Sequence, residues 1–187
     1  MADEPIIYLY PKVKTSVKVL LHFDGKLDYS YPAYDPILHG WTVTAFPDGH
    51  LINNEDNRSY AHLFWEGTPS HANFDMTKGF VVAGSDTIGF LQKILAQMGL
   101  QPKEYNDFIV YWLPKMRDNK YNLIHFAGSE YEAFAHLSVS PTPDSTLRVF
   151  MVFTPLQAPV NVTPQTFPSF NRSGFSVIEW GGTELSN

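Results

Sequence analysis

Between residues 13 and 23 the chain alternates. Val13, Thr15, Val17, Val19, Leu21 and Phe23 fall on one side, and Lys14, Ser16, Lys18 and His22 on the other. A period of two predicts a strand with one buried and one wet face. Ile6 to Tyr10 is a shorter apolar run stopped by Pro11. Asp24-Gly25 predicts a hairpin turn, with Leu27, Tyr29 and Tyr31 on one face of the return strand and Pro32 ending it. Trp41, Val43 and Ala45 alternate with Thr42 and Thr44, and Pro47-Asp48-Gly49 predicts a second turn before Ile52. Tyr60 to Trp65 and Phe80 to Ala83 read as further strands, so the first half is expected to form an antiparallel meander.

The period then changes. Ile88, Leu91, Ile94, Leu95 and Met98 recur at spacings of three and four, which predicts one principal helix over about residues 86–98. Ser85 is the expected N-cap and Gly99 the expected terminator. Pro102 opens a short second helix to Asp107. Strands are expected again at Phe108 to Leu113, Tyr121 to Phe126, Tyr131 to Val139, Leu147 to Phe153 and Phe175 to Trp180, the fourth of them central. Gln157 to Phe170, rich in proline and polar residues, reads as a surface connection. The pattern therefore predicts an α+β fold, mainly β. It is an antiparallel sandwich-like or curved sheet with one principal helix, and residues 1–187 form a single β-rich domain.

Composition narrows the function classes. Aromatic residues make up 15% of the chain and the formal net charge is −6. That charge argues against nucleic-acid binding, which needs clustered Lys and Arg against phosphates. With no cysteine there is no disulfide, thiol catalysis or Cys-type zinc site. No apolar run is long enough to span a bilayer, and Met1 to Pro5 lacks the basic and apolar regions of a secretory signal. The expectation is a cytoplasmic protein, with a secreted mature form as the alternative and a homodimer left open. Phosphate-binding glycine loops and the H-E-x-x-H and G-x-S-x-G motifs are absent.

Candidate chemistry centres on two segments, Leu63-Phe64-Trp65-Glu66-Gly67 and Val177-Ile178-Glu179-Trp180-Gly181-Gly182. Each sets a carboxylate at the end of an apolar run. If Glu66 and Glu179 faced each other, they would form the carboxylate pair of a glycoside hydrolase, with His62 beside Glu66 as an acid–base partner. The plainer reading sets both at exposed strand ends. Metal candidates are Glu55 and Asp56 in the oxygen-rich run Asn53 to Asn57, together with His62 and Glu66. Trp65, Tyr111, Trp112 and Trp180 offer rings for stacking, and Lys115 or Arg117 a cation for an anionic group.

On these two segments, with Pro5 to Pro11, Gly40 to Ala45 and Phe108 to Met116, the chain resembles a family of uncharacterised bacterial and fungal proteins over nearly its whole length. The family has no established catalytic residues to carry over. Its bacterial members often follow a lipoprotein-type signal, which this chain does not show. The cysteine-free, aromatic-rich composition is also similar to that of the pink pigment-binding chromoprotein of oyster mushrooms. That resemblance implies a bound indole-type chromophore held without catalysis. The favoured expectation is non-enzymatic binding of a small aromatic molecule. The alternatives are the hydrolase and a carbohydrate-binding or protein-interaction module.

Overall fold

The structure is a computed structural model that describes residues 1–185. The strands in chain order are β1 (Asp3–Tyr10), β2 (Thr15–Phe23), β3 (Gly25–Tyr31), β4 (Gly40–Ala45), β5 (Leu51–Asn53), β6 (Ser59–Tyr60), β7 (Leu63–Pro69), β8 (Phe80–Ala83), β9 (Tyr121–Ala127), β10 (Ala135–Ser140), β11 (Ser145–Leu156) and β12 (Ser176–Glu184). The helices are α1 (Thr87–Met98), α2 (Pro102–Met116) and α3 (Ser129–Glu132). The fold is α+β and mainly β, with its strands in two multi-stranded sheets. The chain gathers into two compact units. The first comprises Met1–Asn73, Gly128–Arg148 and Arg172–Gly181; the second comprises Phe74–Ala127, Val149–Asn171 and residues 182–185. β11 and β12 contribute residues to both.

In the first unit, five strands pair in the order β10-β2-β4-β5-β6. β2 keeps its predicted alternation from Ser16 on: Val17, Val19 and Leu21 are buried, while Ser16, Lys18 and His22 are exposed; Val13, expected on the buried side, precedes the strand and is exposed. β4 and β5 form the predicted hairpin, closed through Gly49 at φ 91°. The predicted hairpin across Asp24-Gly25 is not formed, because β10 and β4 already occupy the two edges of β2. β3 crosses over and pairs with β7 instead, from Gly25 opposite Pro69 to Tyr31 opposite Phe64, with a bulge between Leu27 and Tyr29. The corner is tied down by Asp24 N–H on Phe134 O (2.8 Å) and Ser70 N–H on Asp24 O (2.9 Å). The expected meander is thus divided between two sheets, the second running β3-β7-β1-β12 in this unit. The strand predicted over Tyr131 to Val139 is in fact α3 followed by β10. Tyr131 and Phe134 are both buried at a spacing of three, which a helical turn permits and a strand does not.

The second unit contains β8, β9, the later part of β11, α1 and α2. α1 closes on Gly99 at φ 112°, as predicted. Its start differs: a 3-10 turn over Gly84–Asp86 precedes it, and Asp86 rather than Ser85 is the N-cap, without a side-chain cap bond. The predicted strand Phe108 to Leu113 is the second half of α2. In a strand, Phe108, Val110 and Trp112 would share a face. Phe108 and Trp112 are fully buried while Val110 is 76% exposed, so the period is helical. Pro102 stands in the first turn of α2, and the Glu104 carboxylate accepts Gln101 N–H at 2.7 Å. Asn122 ties strand to helices, donating to Thr87 Oγ1 (3.2 Å) and to Met116 O (2.9 Å).

Candidate functional site

The chemistry of the first unit gathers around β2, β10 and the strand ends beside them. Glu179 on β12 is fully buried and paired with Arg148. Arg148 Nε on β11 donates to its Oε2 in a very short contact. Its Oε1 accepts Trp65 Nε1–H at 3.2 Å and the Tyr131 hydroxyl at 3.1 Å. The Arg148 guanidinium lies over the Tyr131 ring, 4.5 Å from its centre, and Nη1 donates to Ala135 O at 2.7 Å. Nη2 is buried with no hydrogen-bond partner. Burial alone would lower the pKa of Arg148, but the charge of Glu179 and the hydrogen bond to it outweigh that and raise it. Burial, then the Glu179 charge, pushes the Tyr131 phenol well above its ordinary range. Tyr131 is therefore a permanent donor and Arg148 a permanent cation. A carboxylate held by three donors, one of them a buried cation, is fixed in place as a structural anion.

An open cleft of about 570 Å³ lies at the corner after β2. Its apolar walls include Phe23, Phe134, Leu27 and Tyr34, and its polar rim His22, His39, His136 and Asp24. Phe23 packs against Trp65 (ring centres 5.0 Å) and Phe134 against Tyr131 (5.5 Å), so the cleft wall rests on residues of the buried ion-pair cluster. The Tyr34 hydroxyl donates to Leu21 O at 3.1 Å; burial, then Asp35, raises its pKa. A second cleft, of about 420 Å³, is lined by Glu132, His136 and Arg148 among others.

The residues singled out in the sequence do not assemble into one site. Trp65, Trp112 and Trp180 are core side chains with no face for a ligand. Trp180 donates to the Tyr8 hydroxyl at 3.2 Å. Tyr111 is half-buried on α2, where Lys115 Nζ sits 4.6 Å from its ring centre and donates to its hydroxyl at 3.2 Å. Arg117, just past that helix, is exposed beside Asp118. Glu66 and Glu179 do not face each other. Trp65 shares the face of Glu179, and Glu66, the next residue along β7, projects from the opposite face. The facing carboxylate pair of the hydrolase reading is absent. His62 packs edge-on to Tyr8 with ring centres 5.7 Å apart. Asp56 accepts the Tyr60 hydroxyl (2.5 Å) and Arg58 N–H (3.0 Å), so its loop closes on itself, and Glu55 is exposed. Among the described residues no three His, Asp or Glu side chains already converge as metal ligands.

Sequence reasoning missed the cleft. His22 was legible as a wet-face residue. Its neighbours His39 and His136 reach it only through strand register and one left-handed residue, and neither leaves a mark in local periodicity. No family model matches the chain, nor does any curated protein or solved structure. No helix among the described residues is long and apolar enough to cross a membrane.

Proposed function

We propose that the protein binds a small aromatic molecule without catalysis, in the cleft beside β2 and β10. The observation that carries this is the pairing of aromatic walls (Phe23, Phe134 and Tyr34) with hydrogen-bonding His and Asp side chains around about 570 Å³. Small-molecule sites combine that mixture with volumes of roughly 300–1,000 Å³. A planar, partly polar ring system such as an indole suits it: the rings take the apolar faces, and the imidazoles take N–H or carbonyl groups. The residues carrying the role are then those of the cleft, in place of Trp65 and the α2 aromatics. The resemblance to a pigment-binding chromoprotein points the same way, with a chromophore as the bound molecule.

The test is a thermal-shift and fluorescence titration with indole and related aromatics, with an absorption spectrum of the freshly purified protein. Leu27, half-buried on the cleft wall, is the position to block. Leu27→Trp fills the space, and is expected to abolish ligand-induced stabilisation while leaving the unliganded melting temperature nearly unchanged. Titrations that show no stabilisation by any of these ligands, or a Leu27→Trp protein that binds as well as wild type, overturn the reading.

A carbohydrate-binding role has one observation in its favour. Tyr29 and Tyr31 on β3 are 57% and 55% exposed. They project from the β3–β7 surface beside Phe64 and Tyr60, with ring centres 5.6 Å apart for Tyr29–Phe64 and 5.0 Å for Tyr31–Tyr60. Exposed tyrosines can stack on the apolar face of a sugar ring. On this reading a glycan array gives hits that the Tyr29→Ala/Tyr31→Ala double variant loses, and an array with no hits removes it.

A further inference from the structure

We propose that His22 and His136 chelate a divalent transition-metal ion on the outer face of the five-stranded sheet, with His39 as a neighbouring third imidazole. His136 on β10 lies directly opposite His22 on β2 in an antiparallel ladder, and both are exposed. Directly opposed residues on one face have Cβ atoms about 4.5–5.5 Å apart. An imidazole nitrogen binds its metal at about 2.0–2.1 Å, so two nitrogens bound to one tetrahedral ion stand roughly 3.3 Å apart. Two rings on opposed strands reach that separation by turning about their side-chain bonds, with no backbone movement.

The β2–β4 register places residue 39 opposite Leu21, and Leu21 N–H bonds to His39 O at 2.9 Å. Leu21 faces the core. Yet His39 is exposed, its ring centre is 5.9 Å from that of His22, and its φ is +59°. The left-handed backbone, which L residues adopt only at some cost, accounts for the ring standing beside His22. The next residue cannot take over its place, because Gly40 runs so close to the Val19 carbonyl that a Cβ there would collide with it. Three imidazoles on neighbouring segments of one sheet surface thus form a row, with the Asp24 carboxylate on the rim of the same cleft.

The three rings do not converge on one point in this structure. The site is therefore a two-histidine chelate completed by water, which His39 closes by rotation. Imidazole donors suit Cu²⁺, Ni²⁺ and Zn²⁺, and the order of intrinsic affinity places Cu²⁺ first. A metal held here does not depend on the aromatic-binding role, since the ligands are protein side chains alone.

The experiment is calorimetric titration of the untagged full chain with CuCl₂, NiCl₂ and ZnCl₂, with no aromatic ligand present, together with an electron paramagnetic resonance spectrum of the Cu²⁺ complex. Expected are one ion per chain, nitrogen hyperfine structure in the spectrum, and affinity falling about tenfold or more in His22→Ala and in His136→Ala. His39→Ala is expected to weaken binding less, and His71→Ala, at an exposed histidine that does not line the cleft, to leave it unchanged. No stoichiometric binding, or binding unchanged in both His22→Ala and His136→Ala, overturns the proposal. All four positions are exposed, so each variant is expected to fold, and circular dichroism of each confirms it.

Discussion

Glu179→Ala lowers the stability of the first unit by about 3–5 kcal/mol, the range found when one partner of a buried ion pair is removed. The loss is larger than that of a hydrogen bond because of what remains. Arg148 stays charged, its side chain 8% exposed, with its Nε partner gone and Nη2 still unpaired. Trp65 Nε1 and the Tyr131 hydroxyl lose their acceptor in the same step. Removing both charges is gentler. Arg148→Met/Glu179→Leu deletes the desolvated ions together and keeps most of the packing volume. It is expected to recover much of the loss, leaving the two indole and phenol donors as the residual cost. Calorimetry on the wild type, both single variants and the double variant closes the cycle. A Glu179→Ala protein within about 1 kcal/mol of wild type contradicts this account of the cluster, given the magnitudes for uncompensated buried charge.

Trp112→Ala is expected to cost about 3–5 kcal/mol, as large-to-small changes at buried tryptophans do. Trp112 is fully buried on α2, packed near Phe108 (ring centres 6.2 Å), Tyr111 (4.9 Å) and Phe153 (6.0 Å), and Gly182 gives it room where a Cβ would stand 2.8 Å from its ring. Trp112→Phe is the informative comparison. The indole Nε1 is buried with no acceptor. A buried donor left unmade costs about 1–3 kcal/mol, a penalty that phenylalanine removes while giving up part of the ring's packing. The two effects oppose, so Trp112→Phe is expected to lie within about 1 kcal/mol of wild type on that balance. Urea unfolding of both variants measures it. Aromatic-ligand affinity unchanged in Trp112→Phe separates this structural role from the stacking role suggested by sequence. Equal damage from Phe and Ala contradicts a penalty carried by the unpaired indole N–H.

What was legible in the sequence follows from how local each signal is. The β2 alternation, the Pro47–Gly49 turn, the α1 stripe from Leu91 to Met98 and the Gly99 stop depend on near neighbours in the chain and appear in the structure, whereas Ile88, expected on the same stripe, is 46% exposed. The Asp24-Gly25 hairpin failed because turn propensity says nothing about whether a strand edge is already occupied. The second half of α2 reads as a strand in the sequence because Phe108 to Leu113 is apolar and aromatic enough for one. The distinguishing fact, an exposed Val110, is a property of packing. Glu179 was recognisable as unusual, a carboxylate at the end of an apolar run. Its partner Arg148 lies 31 residues away and is visible only once β11 and β12 are placed. The histidine row is the hardest case: it depends on a register and on one backbone dihedral, neither of which alters composition or periodicity.

The bulged strand β3 has a further consequence, for behaviour in concentrated solution. It ends its sheet, so one row of backbone donors and acceptors faces outward. Such a row is a template on which another molecule's strand can dock and start a fibril. Here the break in register between Leu27 and Tyr29 interrupts the row after only three paired residues, and Lys26, its side chain 82% exposed, places a charge close by. A docking strand would have to match a kinked, charged border. Long-term storage losses that begin with exposed β edges are therefore expected to start elsewhere on the molecule.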